Sequence, residues 1–290
     1  MVAYTVGSLL REGAAILKEA GSPSPYLDAQ ILLCHIADFS KVDIIKDRDK
    51  LLREEISDSF FHLIDERRKG KPIQYITGHQ EFMGLDFYVN ENVLIPRPDT
   101  EILVEKVIEL LKKIDKPVIG DVCTGTGAIA VSLAYYIPDA YVYAADISHH
   151  AIECCRMNIS KHGLINRMKL LQGDLLGPLF EEGLEGRLDA LVSNPPYISK
   201  NDMETLPLSV RGFEPHLALY GGEEGLDFYI RILKDAVRLL KKDGLLAFEI
   251  GYDQGYAVRK LIEDSGRFKN IEIVKDLAGL DRVVYCNMEE

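Results

Sequence analysis

Asp121-Val122-Cys123-Thr124-Gly125-Thr126-Gly127 closes the apolar run Pro117–Val122 and opens a helical pattern over Gly127–Ile137. Small residues in a strand-to-helix turn let the backbone approach a ligand at a helix N-terminus, where open parallel sheets bind their ligands. Working outward, Asp99–Ile114 reads as a helix, Ala140–Asp146 as a strand and His149–His162 as a helix. Met168–Gln172 and Ala190–Ser193 read as strands, Leu226–Leu240 as a helix and Leu245–Ile250 as a strand. Ile271–Lys275 and Arg282–Cys286 supply the last two strands. Alternation of this kind predicts an α/β fold, a Rossmann-like, mostly parallel seven-stranded sheet wrapped on both faces.

Before the sheet the pattern is helical. Val6, Leu9, Leu10 and Leu17 share one helical face, with a stop at Gly21-Ser22-Pro23. A second short helix is expected over Ala29–Ala37 and a longer one over Lys50–Lys69. The latter ends in Arg67-Arg68-Lys69-Gly70-Lys71-Pro72, read as a solvated basic helix terminus that suits the negative end of the helix dipole. Between Gln80 and Ile95 the period shifts to two around Met83-Gly84, the mark of a β-hairpin. The expected domains are therefore an N-terminal helical domain over residues 1–72, a hairpin linker over 73–98 and the α/β domain over 99–290.

Composition narrows the function. With 47% apolar and 28% charged residues the chain is an ordinary globular one, and its length favours two domains. It holds no run of 18 apolar residues, and Met1–Leu10 lacks the basic-then-apolar order of a signal peptide. Five cysteines without a C-x-x-C pair fit neither a zinc site nor a disulfide framework, so no metal and a cytoplasmic location are expected. The net charge of −12 lies almost wholly beyond residue 80, because residues 1–80 carry 11 basic and 12 acidic side chains. An acidic body is repelled by a phosphate backbone, which argues against DNA and suits a basic protein partner.

Three carboxylates close successive strands: Asp121, Asp146 and Asp174. A carboxylate after the second strand suits ribose hydroxyls in a dinucleotide site as well. Asp121, however, would repel a pyrophosphate and attract a sulfonium or ammonium, and Asp174 falls where an adenine edge would lie. Together they suit S-adenosylmethionine better than NAD, although each alone could be a helix cap or turn residue. After the fourth strand comes Asn194-Pro195-Pro196-Tyr197. Two prolines stiffen the bend and remove two donors, leaving carbonyl acceptors, and Asn194 adds a side-chain one. Two acceptors can hold both protons of a planar NH₂ group while Tyr197 stacks on its plane. A plain turn is the competing reading of the same residues.

Further stretches extend the pattern: Pro72–Gly78, Glu81-Phe82, Val93-Leu94-Ile95-Pro96-Arg97-Pro98-Asp99-Thr100-Glu101, Glu214-Pro215, Gly221-Gly222, Gly225-Leu226, Phe248-Glu249-Ile250-Gly251 and Asp276–Gly279. With these the chain resembles, over nearly its whole length, the HemK-type glutamine methyltransferases that modify translation release factors. The resemblance implies a class I S-adenosylmethionine-dependent methyltransferase fold and methylation of the glutamine in the Gly-Gly-Gln motif of release factors. It assigns Cys123, Thr124, Gly125, Thr126, Gly127, Asp146 and Leu175 to the cofactor, and Asn194, Pro195, Pro196 and Tyr197 to the substrate glutamine. It also implies that the helical N-terminal domain helps dock the release factor. A glutamine methyltransferase of a ribosomal protein would share most of these motifs. A DNA adenine methyltransferase shares only N-P-P-Y, and a non-catalytic assembly factor would not need it. One residue departs from the family pattern: Cys123 stands where the first glycine of the turn is usual. The two glycines that follow lead to the expectation of a negative φ at Cys123, with the thiol packed as a small hydrophobe.

Overall fold

The computed structural model describes residues 3–289, which sort into two units. One runs through His79 and includes Pro207–Phe213; the other comprises Gln80–Leu206 and the chain from Glu214 onward. The first unit is helical: α1 (Val6–Glu19), α2 (Pro25–Ala37), α3 (Lys41–Lys46), α4 (Glu54–Arg68) and α5 (Ile73–Thr77). The stripe of α1 packs Leu9, Leu10 and Leu17 against Leu32 and Leu33 of α2 and Phe60 and Ile64 of α4. Thr5 caps α1 reciprocally with Ser8, which satisfies two of the amide donors that a helix N-terminus leaves open. Residues 50–53, expected to be helical, instead extend, and Leu51 bridges Thr5. Ile73–Thr77, expected within the linker, forms α5, which ends at Gly78 with φ +76°.

The basic run after α4 is not simply solvated. Arg67 is 14% exposed and pairs at 2.8 Å with Asp28, itself 9% exposed, and also donates to the Lys71 carbonyl. Lys71 pairs with Glu66, and Arg68 with Asp65. A buried acid on α2 needs a cation within reach, and the end of α4 supplies one.

In the second unit the hairpin is short. β1 (His79–Phe82) and β2 (Leu85–Tyr88) turn through Met83 and Gly84, both at positive φ, and Glu101 accepts the Met83 amide at 2.6 Å. The rest of the unit runs α6 (Pro98–Leu111), β3 (Val118–Val122), α7 (Ala128–Tyr136), β4 (Tyr141–Asp146), α8 (His149–Lys161), β5 (Met168–Gln172), α9 (Gly177–Glu181), β6 (Leu188–Ser193) and α10 (Lys200–Thr205). After α11 (Leu208–Arg211), which belongs to the first unit, follow α12 (Asp227–Leu239), β7 (Leu240–Glu249), α13 (Gly255–Ser265), β8 (Phe268–Lys275) and β9 (Asp281–Met288).

The seven sheet strands take the order β5-β4-β3-β6-β7-β9-β8. The first five are parallel and β9 is antiparallel to both neighbours. The seven-stranded, mostly parallel sheet is the one the sequence predicts. Side chains alternate between faces: Leu245 and Ala247 of β7 join the core under α6 and α7, while Leu246, Phe248 and Ile250 join the one under α12 and α13. Several elements differ from expectation: α3, α9, α10 and α11 are not among the expected helices, and β8 begins at Phe268 rather than Ile271. β7 begins at Leu240 rather than Leu245, because Asp243-Gly244 is an irregularity inside the strand, with Asp243 at φ +62°, and not a loop before it. Helix α13 has no counterpart in the sequence reading.

Because Asp28 and Arg67 are mutually compensating, removing one leaves the other buried and unpaired. Arg67→Ala is expected to lower stability by about 3 kcal/mol in chemical denaturation, and Arg68→Ala, at an exposed pair, by less than about 1 kcal/mol.

Candidate active site

Strand order reverses between β3 and β6: β4 and β5 lie to one side of β3, and β6 and β7 to the other. The chain segments leaving the carboxyl ends of β3 and β6 diverge there and open a crevice. Val122 and Ser193 are register partners, so Cys123 and Asn194 emerge side by side. The Ser193 hydroxyl donates to the Val122 carbonyl at 2.6 Å and ties the two strand ends together.

After β3 the turn is held by the next strand. The Thr124 amide donates to the Ala145 carbonyl, the Gly125 amide to Asp146 Oδ2 at 2.9 Å, and the Ser148 amide to Asp146 Oδ1 at 2.9 Å. Gly127 has φ +80°, and a Cβ there would overlap Cys155 Sγ of α8, so the position admits no other residue without a shift. Cys123 corrects an expectation. Its φ is +62°, in the left-handed region, so the two glycines after it do not relieve it of the turn's strain. Burial and the carboxylates of Asp146, Asp121 and Asp174 push its thiol well above the ordinary range, while Ser193 draws it down.

Asp121 is fully buried. Its Oδ2 accepts the Thr124 hydroxyl at 2.5 Å and its Oδ1 has no hydrogen-bond partner. Burial raises its pKa to about 7, against the Thr124 bond, and the Asp146 charge adds to the rise. Burial also raises Asp146, opposed by its three backbone N–H bonds. Asp174 lies past the end of β5 and forms an ion pair with Arg231 of α12. A cavity of about 210 Å³ is lined by Cys123, Gly125, Asp146, Ile147, Asp174, Leu175, Asn194 and Pro196. Phe228 and Arg231 of α12 line it too. A smaller one of about 50 Å³ has Thr124, Thr126, Thr100 and Arg97 in its wall, and shares Cys123, Gly125 and Asn194 with the first. The turn and Asn194 therefore separate, and border, two adjoining spaces.

The bend after β6 is fixed from several directions. Pro195 and Pro196 are buried. Asn194 Nδ2 donates to Thr100 Oγ1 at 3.3 Å, and the Tyr197 hydroxyl donates to Glu249 Oε1 at 3.3 Å. Gln254 Nε2 donates to the Tyr197 carbonyl. Ile198 pairs with Tyr220, and a Cβ on Gly221 would lie 2.6 Å from Tyr197 Cα. On the other wall, buried Glu214 accepts the Ile95 amide and pairs with Arg97, holding the Ile95–Arg97 segment in place. Desolvation raises Glu214, and Arg97 opposes it.

Among the sequence-predicted residues, Cys123, Gly125, Asp146, Asp174, Leu175, Asn194 and Pro196 line the larger cavity, and Thr124 and Thr126 only the smaller. Gly127 supports the turn, and Tyr197 is anchored on Glu249. The sequence reading gave no role to Thr100, Glu214, Glu249, Gln254, Phe228 or Arg231. A charged residue at the end of an apolar strand, as Glu249 is in Leu245–Ile250, was the available signal for one of them.

The fold and the crevice are those of a methyltransferase. Residues 98–208 match the family model of the methyltransferase small domain, and the structure superposes on a methyltransferase from Pyrococcus furiosus with a TM-score of 0.52 at 18% identity, covering 72% of this chain and 91% of that one. It likewise superposes on the human methyltransferase 10 domain containing protein, with a TM-score of 0.54 at 17% identity over 71% of this chain and 90% of that one. Residues 8–78 match the PrmC N-terminal domain. The release factor glutamine methyltransferase of Moorella thermoacetica is 46% identical over 278 residues, 96% of each chain, and that of Clostridium botulinum is 43% identical over 95% of this chain and 96% of its own. The chain belongs to the release factor glutamine methyltransferase family.

A cysteine at φ +62° carries backbone strain of roughly 1–3 kcal/mol, and glycine restores about 0.5–1 kcal/mol of unfolded-chain entropy. Cys123→Gly is therefore expected to raise stability by about 1 kcal/mol, read as a shifted denaturation midpoint at unchanged slope. A lower midpoint would show that thiol packing outweighs the strain.

Proposed function

We propose that this enzyme transfers a methyl group from S-adenosylmethionine to the side-chain amide nitrogen of the glutamine in the Gly-Gly-Gln motif of peptide chain release factors. The observation that carries the reading is Asn194, whose Nδ2 is occupied by Thr100 and whose carbonyl oxygen remains an acceptor at the edge of both cavities. When bound, S-adenosylmethionine supplies an electrophilic methyl on a cationic sulfur. The residues present fit that group: Asp121 keeps an unpartnered oxygen in a buried place, where a nearby cation would offset the cost of its charge. Asp146, pinned by the Gly125 and Ser148 amides, retains acceptor capacity for a ribose hydroxyl. Ile147, Leu175 and Phe228 offer apolar walls to a flat base, and Asp174 stands at the rim, paired with Arg231.

The chemical step asks little proton transfer of the protein. A glutamine amide nitrogen is a poor nucleophile because its lone pair is conjugated with the carbonyl. Asn194 Oδ1 and the Pro195 carbonyl accept its two N–H groups, favour a pyramidal nitrogen and aim the lone pair out of the amide plane. Buried prolines keep these acceptors from relaxing, and Tyr197 offers a face to the amide. The nitrogen loses its proton readily once it carries the methyl group, so no strong base is needed before transfer.

The first unit, which carries the match to the PrmC N-terminal domain, serves in this reading to dock the release factor. A basic partner protein suits the −12 charge, and a DNA backbone does not. Among the described residues no helix is long and apolar enough to cross a membrane, and all five cysteines are free thiols.

Incubating purified release factors with enzyme and S-adenosylmethionine is expected to add one methyl group to the Gly-Gly-Gln glutamine by peptide mass spectrometry. Methylation of a ribosomal-protein glutamine instead would reassign the substrate. Asn194→Ala is expected to cut turnover by on the order of 10²-fold while cofactor affinity stays within a few-fold; turnover above a tenth of the wild type would remove Asn194 from the reaction. Asp146→Ala should weaken S-adenosylmethionine binding by about 1.5–3 kcal/mol in calorimetry, the range for hydrogen bonds to a charged group.

A further inference from the structure

Glu249 is the last residue of β7 and is buried, and no step of the chemistry above uses it. Its Oε1 accepts the Tyr197 hydroxyl and its Oε2 has no well-formed hydrogen bond. The Thr100 hydroxyl faces the same carboxylate and lowers its pKa, and Thr100 Oγ1 is the atom that accepts Asn194 Nδ2. One buried carboxylate thus stands behind both ends of the Asn194–Tyr197 bend.

The chemistry of these groups gives the arrangement a direction. An ionised carboxylate only accepts hydrogen bonds, a hydroxyl has a single proton, and a carboxamide has one accepting and one donating end. With Glu249 ionised, the Thr100 proton is drawn to the carboxylate, and Thr100 Oγ1 has only lone pairs left to offer Asn194. Asn194 must then turn its NH₂ to Thr100 and its oxygen away from it. A flipped carboxamide would present a donor to the substrate NH₂ and repel it. We propose that Glu249 and Thr100 are positioning residues that set the hydrogen-bond polarity of Asn194, so that its oxygen, and not its nitrogen, meets the substrate amide. The inference rests on the reading of Asn194 as an acceptor for that amide.

Other charges share the neighbourhood. Burial raises Glu249 to about 7; Thr100 and Tyr197 lower it, Asp99 of α6 raises it and Arg282 of β9 lowers it. Tyr229 of α12 donates to the Glu249 backbone carbonyl at 2.9 Å. Protonation gives Glu249 a donor of its own, and the Thr100 proton is then free to turn toward Asn194. Polarity is therefore enforced above about pH 7 and relaxed below it.

The decisive variant is Glu249→Gln, which keeps the shape and supplies an NH₂ that can donate to Thr100. At saturating cofactor and release factor, kcat is expected to fall by about tenfold or more, with cofactor affinity unchanged. The wild-type kcat should fall as pH drops through about 7, and this limb should be missing from the Glu249→Gln profile. Burial also raises Asp121 to about 7, and the substitution leaves Asp121 in place, so Glu249 is read from the difference between the two profiles. Thr100→Val should reproduce the kcat loss, and Thr100→Ser, which keeps the hydroxyl, should restore most of it. Wild-type kcat and an unaltered pH limb in Glu249→Gln would overturn the proposal. So would a Thr100→Val enzyme with normal kcat. A separate readout is the Asn194 side-chain ¹⁵N–¹H₂ pair, assigned through Asn194→Asp. It should move in Glu249→Gln as its bond to Thr100 is lost, and an unmoved pair would refute the relay. If the wild type leaves release factors unmethylated, the substrate reading fails, while this signal still decides the relay.

Discussion

Val122 and Ser193 face each other across the β3–β6 pair, and the Ser193 hydroxyl bridges to the Val122 carbonyl. Every group placed around the crevice follows from that pairing. A parallel sheet whose order reverses at this point leaves two strand ends side by side with their chains departing in opposite directions. The glycine-containing turn leaves on one side and the proline bend on the other, so one short register holds two chemically different half-sites at van der Waals separation. A one-residue slip in β6 would turn Asn194 toward the opposite face and dismantle the arrangement, because strand side chains alternate.

Around this seam the second unit concentrates carboxylates whose pKa values burial has raised: Asp121, Asp146, Glu214 and Glu249. They are compensated unequally. Glu214 has a guanidinium, Asp146 has backbone amides, and Glu249 has two hydroxyls facing it. Asp121 has the Thr124 hydroxyl and the Ala130 backbone N–H facing it, and, like Glu249, one oxygen without a well-formed hydrogen bond. An uncompensated buried acid is costly in a resting fold. In the proposed reaction that cost is relieved by a cationic ligand, whose charge would complete the environment that Thr124 and Ala130 supply only in part.

The sheet was legible from period and punctuation, since its strands carry apolar runs and most parallel connections a helical stripe; the five-residue α9 between β5 and β6 was too short to show one. The departures have local causes. Asp243-Gly244 looks like a turn by composition, but the strand absorbs it because β7 is paired on both sides and β9 holds Leu245 through Glu249 in register. Helix α13 escaped because only Val258 and Ile262 are fully buried on it, too few to show a period. Arg67 read as solvent-facing because its partner, Asp28, is 39 residues away in the chain. Cys123 is expected at negative φ because two glycines follow it, whereas the chain takes φ +62° at Cys123 itself, with the Thr124 amide bonded to the Ala145 carbonyl. The candidate site divided along the same line. Residues in the turn, in the bend and at the strand ends were visible; those that support them from behind, such as Thr100 and Glu249, were not.

The proline bend shows why such distant residues are required. Pro195 and Pro196 give up their amide donors, so this stretch cannot be held by the backbone ladder that fixes β6 up to Ser193. Stiffness has to come from outside. It comes from the Leu219–Gly225 segment, whose Gly221 lets the chain lie against Tyr197 Cα, from Gln254 on the Tyr197 carbonyl, and from Glu249 on the Tyr197 hydroxyl. Glu249 is in phase with Leu245 and Ala247 and so lies on the α6 side of the sheet, the side from which Thr100 reaches Asn194. Removing two donors makes the bend a pure acceptor, which is what an NH₂ group requires. The same removal makes its geometry depend on residues gathered from four separate places in the chain.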